Sequence, residues 1–529
     1  MKHTAKNMMP LILVAVLLTG CDQNAMMNTP QNIDGGARYD IAAEQAEGFV
    51  SGRGALPDNG GVPDFNTEEY SAITENSFKS TAADPLSTFS ADVDTASYSN
   101  LRRMIRDGST IPTDAVRIEE MLNYFHYDYP APKPGEPFSV TTELANCPWN
   151  PDTKLMMIGM KAEDIDLSAR APMNLVFLID VSGSMYSADK LPLVQRSFGM
   201  LTEQLTENDR VSLVTYASGN RVLLEGVPGS DQLKIREAIE GLQAGGGTAG
   251  AAGINTAYEI AQKYFIKGGN NRVILATDGD LNIGISSEAE LKKLIEKQRK
   301  KGVFLSVLGF GTGNIKDNKM ETLADCGNGN YSYIDSELEA RRVLVEEMGG
   351  TLVTVAKDVK FQVEFNPAYI KGYRLIGYEN RLLNAEDFAD DTKDAGEIGA
   401  GHTVTVLYEI ADTDSAMQLA SGDLKYSGGE SKGVENGECC TVSVRYKAPD
   451  GDESRLLEYP VAADSAKAEM SADMRFASAV AAFGMVVRGS EYKGSATVES
   501  VCALLAEAGT ENDPYKAEFA ELVREAKIS

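Results

Sequence analysis

Residues 175–184 read LVFLIDVSGS, and the junction inside that stretch decides the fold. Leu175–Ile179 is an unbroken apolar run, the pattern of a strand buried on both faces. Such a strand sits in the middle of a mostly parallel sheet. The loop that follows it therefore lies on the carboxyl edge, where doubly wound folds place ligands. Asp180, Ser182 and Ser184 alternate along that loop and offer one carboxylate and two hydroxyls. Gly183 lets the chain turn tightly enough to aim them at one point.

Working outward, apolar runs alternate with amphipathic stretches. Strands are expected at Arg210–Tyr216, Arg221–Leu224, Arg272–Ala276, Val303–Gly309 and Tyr331–Ile334. Helices are expected near Leu191–Leu205, Asp231–Leu242, Ala249–Tyr264, Glu288–Lys301 and Leu338–Met348. This alternation predicts an α/β, doubly wound, Rossmann-like domain with helices on both faces of the sheet. The turn Ser218-Gly219-Asn220 makes the short 221–224 strand an antiparallel edge.

Two further segments converge on the same sheet edge. Gly245-Gly246-Gly247-Thr248 precedes a helix and presents a hydroxyl; Thr277-Asp278-Gly279 ends a strand and presents a second carboxylate. Asp180, Ser182, Ser184, Thr248 and Asp278 are all hard oxygen donors. They suit Mg²⁺, which takes six oxygens and keeps water; Mn²⁺ and Ca²⁺ fit the same donors. The glycine run lacks the lysine of a phosphate loop. Asp280 can face the metal or cap the loop.

At these residues the sequence closely resembles the von Willebrand factor A (VWA) family and its metal-ion-dependent adhesion site, written DxSxS, then threonine, then aspartate. The resemblance covers about 172–352. It implies ligand roles for Ser182, Ser184, Thr248 and Asp278, with Asp180 in direct or water-mediated contact. Outside this domain, Pro85–Tyr98, Phe365-Asn366-Pro367 and Glu386–His402 resemble a bacterial group of VWA lipoproteins with dedicated N- and C-terminal flanking regions. That resemblance implies an architecture and leaves the role open.

In the flanks, a helix is expected over Ala96–Asp107, capped by Asp94-Thr95, and another over Val116–Tyr124. Ala96 stands where a calcium loop would need a third ligand. Strands are expected at Phe138–Leu144 and Lys154–Met160 before the α/β domain, then at Asp358–Glu364, Tyr373–Tyr378, Thr403–Ile410 and Thr441–Tyr446 after it. Helices close the chain at Ser471–Arg488, Ala496–Ala508 and Tyr515–Lys527. Phe476, Val480, Phe483 and Val487 form a core stripe on the first of these. Neither set of strands makes a sheet alone, so the α/β domain is expected to be inserted into a β-sandwich built from both flanks. If strand 138–144 pairs with nothing beyond residue 353, that arrangement is wrong. The acidic run Glu386, Asp387, Asp390, Asp391, Asp394 and Glu397 reads as a solvated loop, with a second cation site as the alternative.

The N-terminus has the layout of a secretion signal over residues 1–20: Lys2 and Lys6, then the apolar run Leu11–Leu18. Leu18-Thr19-Gly20-Cys21 resembles the lipobox of bacterial lipoproteins, which implies lipidation at Cys21. Acyl chains would hold the protein to a membrane, each CH₂ contributing about 0.8 kcal/mol. Residues 21–70 are rich in Asn, Gly, Ala and Gln and read as a flexible tether with a reach of roughly 40 Å. The expected order is thus signal 1–20, tether 21–70, N-terminal flank 71–171, VWA domain 172–352 and C-terminal β-rich domain with helices 353–529. The location is the cell envelope, extracytoplasmic, on either the inner or the outer membrane.

The net charge of −28 argues against nucleic-acid binding, which relies on cationic side chains. Three histidines, His3, His126 and His402, leave little room for a zinc centre or a Ser-His-Asp machine. Cys147, Cys326, Cys439, Cys440 and Cys502 form no CxxC pair. The expected function is recognition, not catalysis: a partner protein supplies an acidic residue to an incompletely coordinated metal. The alternatives are a metal-dependent hydrolase or phosphatase, disfavoured because Ser182 replaces the second carboxylate of a DxD site and no phosphate-gripping lysine is visible, and a scaffold with a purely structural cation.

Overall fold

The computed structural model describes residues 67–164, 170–247, 253–279, 288–347, 353–393, 395–419, 433–449 and 451–526. The expected signal, Cys21, most of the expected tether, Thr248, Asp280 and Asp394 lie outside them. Thr67 and Glu69 donate backbone hydrogen bonds to Gly313 and Ile315 (both 2.9 Å), and Glu68 pairs with Arg103 at 3.0 Å. The folded chain therefore includes residues 67–70, which the tether had been expected to contain.

The α/β domain has a six-stranded sheet. Its order is Tyr331–Ile334, Val303–Phe310, Asn270–Thr277, Met173–Asp180, Arg210–Tyr216, Asn220–Pro228. All neighbours run parallel except the last pair, an antiparallel hairpin. Met173–Asp180 is buried along its whole length because its alternate residues serve two cores. Leu175, Phe177 and Ile179 meet helices Leu191–Thr202 and Gln232–Glu240 on one face. Val176 and Leu178 meet helices Gly253–Lys263, Glu288–Arg299 and Asp317–Cys326 on the other. Helix Asp317–Cys326 was not expected; its ten residues bury only Met320, Leu323 and Ala324 as apolar contacts, too few for a clear period. The expected 338–348 helix is Glu337–Arg341 followed by a π-helical turn, Arg342–Glu346.

The flanks build two antiparallel sheets around this insert. One runs Lys79–Ser80, Ile370–Ile376, Thr403–Asp412, Lys154–Ala162, Phe138–Asn146. The other runs Gly396–Gly399, Thr354–Phe365, Glu438–Lys447, Ser454–Ala462, with Leu86–Ser90 also paired to Thr354–Phe365. Pairings between 154–162 and 403–412, 79–80 and 370–376, and 86–90 and 354–365 all span the insert. The condition set for strand 138–144 fails: among the described residues Phe138–Asn146 pairs only with Lys154–Ala162, and the neighbouring strands are the ones that join the two flanks. Ser139, Thr141 and Thr142 suit an edge, whereas the apolar 154–162 strand is buried on both faces and takes the inner place.

The facing sides of the two sheets share one core, with Phe365 stacked on Tyr373 at 4.2 Å and Phe138 edge-on to Tyr446 at 5.1 Å. Leu155, Met157 and Leu407 point to the outer face, where helices Ala96–Asp107, Ile118–Asn123, Ala472–Arg488, Val498–Ala506 and Pro514–Glu525 cover them. Phe476, Val480 and Phe483 lie in that helical core as the stripe predicts, and Val487 packs at its rim. No described helix is long and apolar enough to cross a membrane.

A seam of buried charge joins the α/β domain to the frame. Arg102 pairs with Asp335, Glu339 and Glu518. Arg117 pairs with Glu120, Asp317 and Glu321, and Arg381 with Asp94, Glu321 and Asp325. Asp94 belongs to this seam and not to a helix cap: it accepts from the Tyr331 amide at 2.9 Å and from Arg381 at 3.1 Å. Thr95, at the cap position, makes no side-chain cap bond and instead accepts from Arg342 at 2.8 Å. Several acids of the 386–397 run are consumed locally. Asp387 closes a capping box with Asn384, and Glu397 accepts from Asn328 at 2.7 Å and Thr354 at 3.0 Å.

Candidate metal site at the carboxyl edge

Asp180 is the last residue of the central strand and is fully buried. Its Oδ1 accepts from the Ser182 amide at 2.8 Å, a short turn that brings both serine hydroxyls to one side. Ser182 Oγ and Ser184 Oγ lie 2.9 Å apart, the first buried and the second exposed. The loop is tied to its neighbours through backbone: Val181 donates to Tyr216 (3.0 Å), Gly245 to Val181 (2.8 Å) and Gly183 to Gly246 (3.1 Å). The glycine segment that leads into Thr248 is thereby joined to the DxSxS loop.

Asp278 follows strand Asn270–Thr277, which pairs directly with Met173–Asp180, Ala276 opposite Ile179. It is buried too. Gly279 next to it has φ +105°, and a Cβ there would fall 2.3 Å from the Asn314 carbonyl oxygen, so only glycine passes this point without displacing backbone. Four of the five expected ligand residues, Asp180, Ser182, Ser184 and Asp278, are thus described at one sheet edge. The fifth, Thr248, is outside the described residues.

The sequence reading found no lysine at the site; the structure places one there. Lys190 Nζ donates to Asp278 Oδ2 at 2.9 Å, and both residues are buried. Lys190 directly precedes helix Leu191–Thr202, at the cap position, where Ser, Thr, Asp or Asn is favoured and the helix dipole repels a cation. That misplaced charge was the available signal. Tyr186, two residues past Ser184, was also passed over; its ring is 82% exposed, an unusual cost for an aromatic unless it meets something.

Burial pushes the Asp180 carboxyl up to about 6, with the Asp278 carboxylate adding to the rise and the Ser182 amide and hydroxyl opposing it. Burial, then the Asp180 charge, likewise raises the Tyr216 phenol. Asp180 Oδ2 makes no hydrogen bond of ordinary geometry among the described residues, and the buried Tyr216 phenol lies close enough to the carboxyl to oppose its rise. A buried carboxylate oxygen left in that state costs free energy unless something positive or a donor satisfies it. Two carboxylates and two hydroxyls, all hard oxygen donors, fit a divalent cation of the Mg²⁺ type. Among the described residues no cluster of three His, Cys, Asp or Glu side chains suited to a metal occurs, so hydroxyls are integral to any such site. The five described cysteines are free thiols.

The sheet order and its carboxyl-edge loop define a von Willebrand factor type A protein, and the family model described as von Willebrand factor type A domain matches residues 174–347. Models described as von Willebrand factor and as Uncharacterized protein YfbK, C-terminal, match residues 64–157 and 350–528. The chain belongs to the YfbK family of bacterial VWA proteins with flanking domains: it is 44% identical over 469 residues to Uncharacterized protein YfbK of Escherichia coli (strain K12), covering 86% of this chain and 80% of that one. Uncharacterized protein sll0103 of Synechocystis is 30% identical over 186 residues, covering 35% of this chain and 42% of that one. Among solved structures, a von Willebrand factor type A protein from Catenulispora acidiphila aligns with 17% identity and a TM-score of 0.40, over 77% of this chain and 99% of its own.

Proposed function

We propose that this protein binds an acidic residue of a partner protein through a divalent cation at Asp180, Ser182, Ser184, Thr248 and Asp278. The observation that carries the reading is the buried Asp180 carboxylate, one oxygen of which makes no well-formed hydrogen bond, at the same sheet edge as two hydroxyls and a second carboxylate. When bound, Mg²⁺, Mn²⁺ or Ca²⁺ would supply a position that accepts one more oxygen ligand. The chain's own residues do the rest. Ser184 lies exposed at the rim, and Tyr186 offers an aromatic surface beside it, the residue type that anchors protein contacts.

Catalysis is the weaker reading. Lys190 is engaged by Asp278 and largely buried, so it is not presented to a phosphate. The LTGC stretch at 18–21 supports an extracytoplasmic protein attached to a membrane through Cys21.

The test is affinity capture from bacterial membranes with the immobilised chain, in Mg²⁺ and in EDTA, beside Asp180→Ala. Partner binding should be lost in EDTA and in the variant; equal capture in all three arms would sink the proposal.

A further inference from the structure

We infer that Lys190 tunes the charge of the cation site: its ammonium competes with the divalent ion for Asp278, and its positive charge beside the loaded site favours an anionic ligand. This rests on the reading of the site as a cation site and deepens it.

The ammonium is held in place. Lys190 Nζ sits 2.9 Å from Asp278 Oδ2, and its aliphatic stem runs against the backbone of Gly311. A Cβ on Gly311 would fall 2.3 Å from Lys190 Cγ and 2.4 Å from Cε, so the absence of a side chain there makes the channel for the stem. Tyr333 fixes that loop by donating to the Gly311 carbonyl at 2.8 Å. A lysine at the positive end of a helix, threaded past a glycine to one particular carboxylate, serves the site and not the helix.

The charges of these groups give two consequences of opposite sign. Asp278 and Lys190 are paired, so removing the ammonium makes the site one unit more negative, whether the cation is bound or not. A more negative site holds a divalent ion more tightly and, once loaded, repels a ligand carboxylate more strongly. Removing Lys190 should therefore tighten cation binding and weaken anion binding, a reciprocal pattern that simple structural damage does not produce.

The experiment titrates the full chain with Mn²⁺, followed by electron paramagnetic resonance, and then adds acetate to the Mn²⁺-loaded protein while following water-proton relaxation. Lys190→Met keeps the stem and removes the charge; Lys190→Gln is a second uncharged variant; Lys190→Arg keeps the charge. Both uncharged variants should bind Mn²⁺ about tenfold tighter and acetate about tenfold more weakly, while Lys190→Arg stays close to the parent. Unchanged or weaker Mn²⁺ binding in the uncharged variants overturns the inference alone. So does Lys190→Arg behaving like Lys190→Met. Absence of Mn²⁺ binding in the parent overturns the cation site itself and the inference with it.

Discussion

Replacing Arg102 with methionine tests what holds the α/β domain in its frame. The Arg102 side chain is fully buried. Its guanidinium donates to Asp335 at 2.8 and 2.5 Å, to Glu339 and Glu518 at 2.8 Å each, and to the Tyr124 hydroxyl at 2.9 Å. These partners belong to the α/β domain, the N-terminal flank and the last helix, so one side chain joins three parts of the sequence. After substitution Glu339 keeps Arg342 at 2.7 Å and Glu518 keeps Arg106 at 2.8 Å. Asp335 keeps only the Ser336 hydroxyl, at 3.1 Å, among the partners shown. The loss therefore concentrates on one buried carboxylate. Breaking a buried pair from one side costs about 3–5 kcal/mol, a large share of the 5–15 kcal/mol that typically separates folded from unfolded chains. Urea unfolding followed by circular dichroism should show that loss. Hydrogen exchange should accelerate over Ala96–Asp107 and Pro514–Glu525. Adding Asp335→Asn to Arg102→Met should recover part of the stability, because the stranded charge is gone. A loss below about 1 kcal/mol, or no recovery in the double variant, would refute the reasoning.

Gly279→Ala should destabilise the chain by about 1–3 kcal/mol and disturb the Asp278 loop, since φ is +105° and the new Cβ meets Asn314; thermal unfolding and Mn²⁺ titration check both effects. Burial at the charge seam raises Asp317 and Glu321 to about 7 and Asp325 to about 6, above their unfolded values near 4. The folded protein thus holds these protons more tightly, so the stability that these three groups contribute is fully present below about pH 4 and is lost as pH rises through about 7. The unfolding temperature should drop between pH 5 and pH 8, and Glu321→Gln should make that slope shallower. Tyr186→Ala should leave the unfolding temperature unchanged, because the ring is exposed, while partner capture weakens.

Much of the fold was legible because burial imposes periodicity. The strand Leu175–Ile179 reads as central from its composition, and the 476–483 stripe predicts the face that meets the frame's outer sheet. The two-residue strand Lys79–Ser80 and the short Gly396–Gly399 carry no period and were missed. Leu86–Ser90 escaped because a five-residue strand with three hydroxyls looks like a turn until Thr354–Phe365 is beside it. The DxSxS residues stood out because alternate oxygen-bearing side chains follow an apolar strand, and the structure does bring the two serine hydroxyls together. The seam was not: Asp94 and Arg381 are 287 positions apart, and nothing local tells a capping aspartate from one that answers a distant arginine. Lys190 was hidden in the same way, since its partner lies 88 residues downstream.

Mn²⁺ titration of the parent chain against Ser184→Ala asks whether the carboxyl edge holds a cation at all. Ser184 is exposed and its side chain touches only Ser182 among the contacts shown, so its loss should leave the fold intact. Saturable Mn²⁺ binding is expected in the parent, displaced by Mg²⁺ and weakened by about tenfold or more in the variant. Absence of saturable binding, or equal affinity in both proteins, would contradict a cation site there.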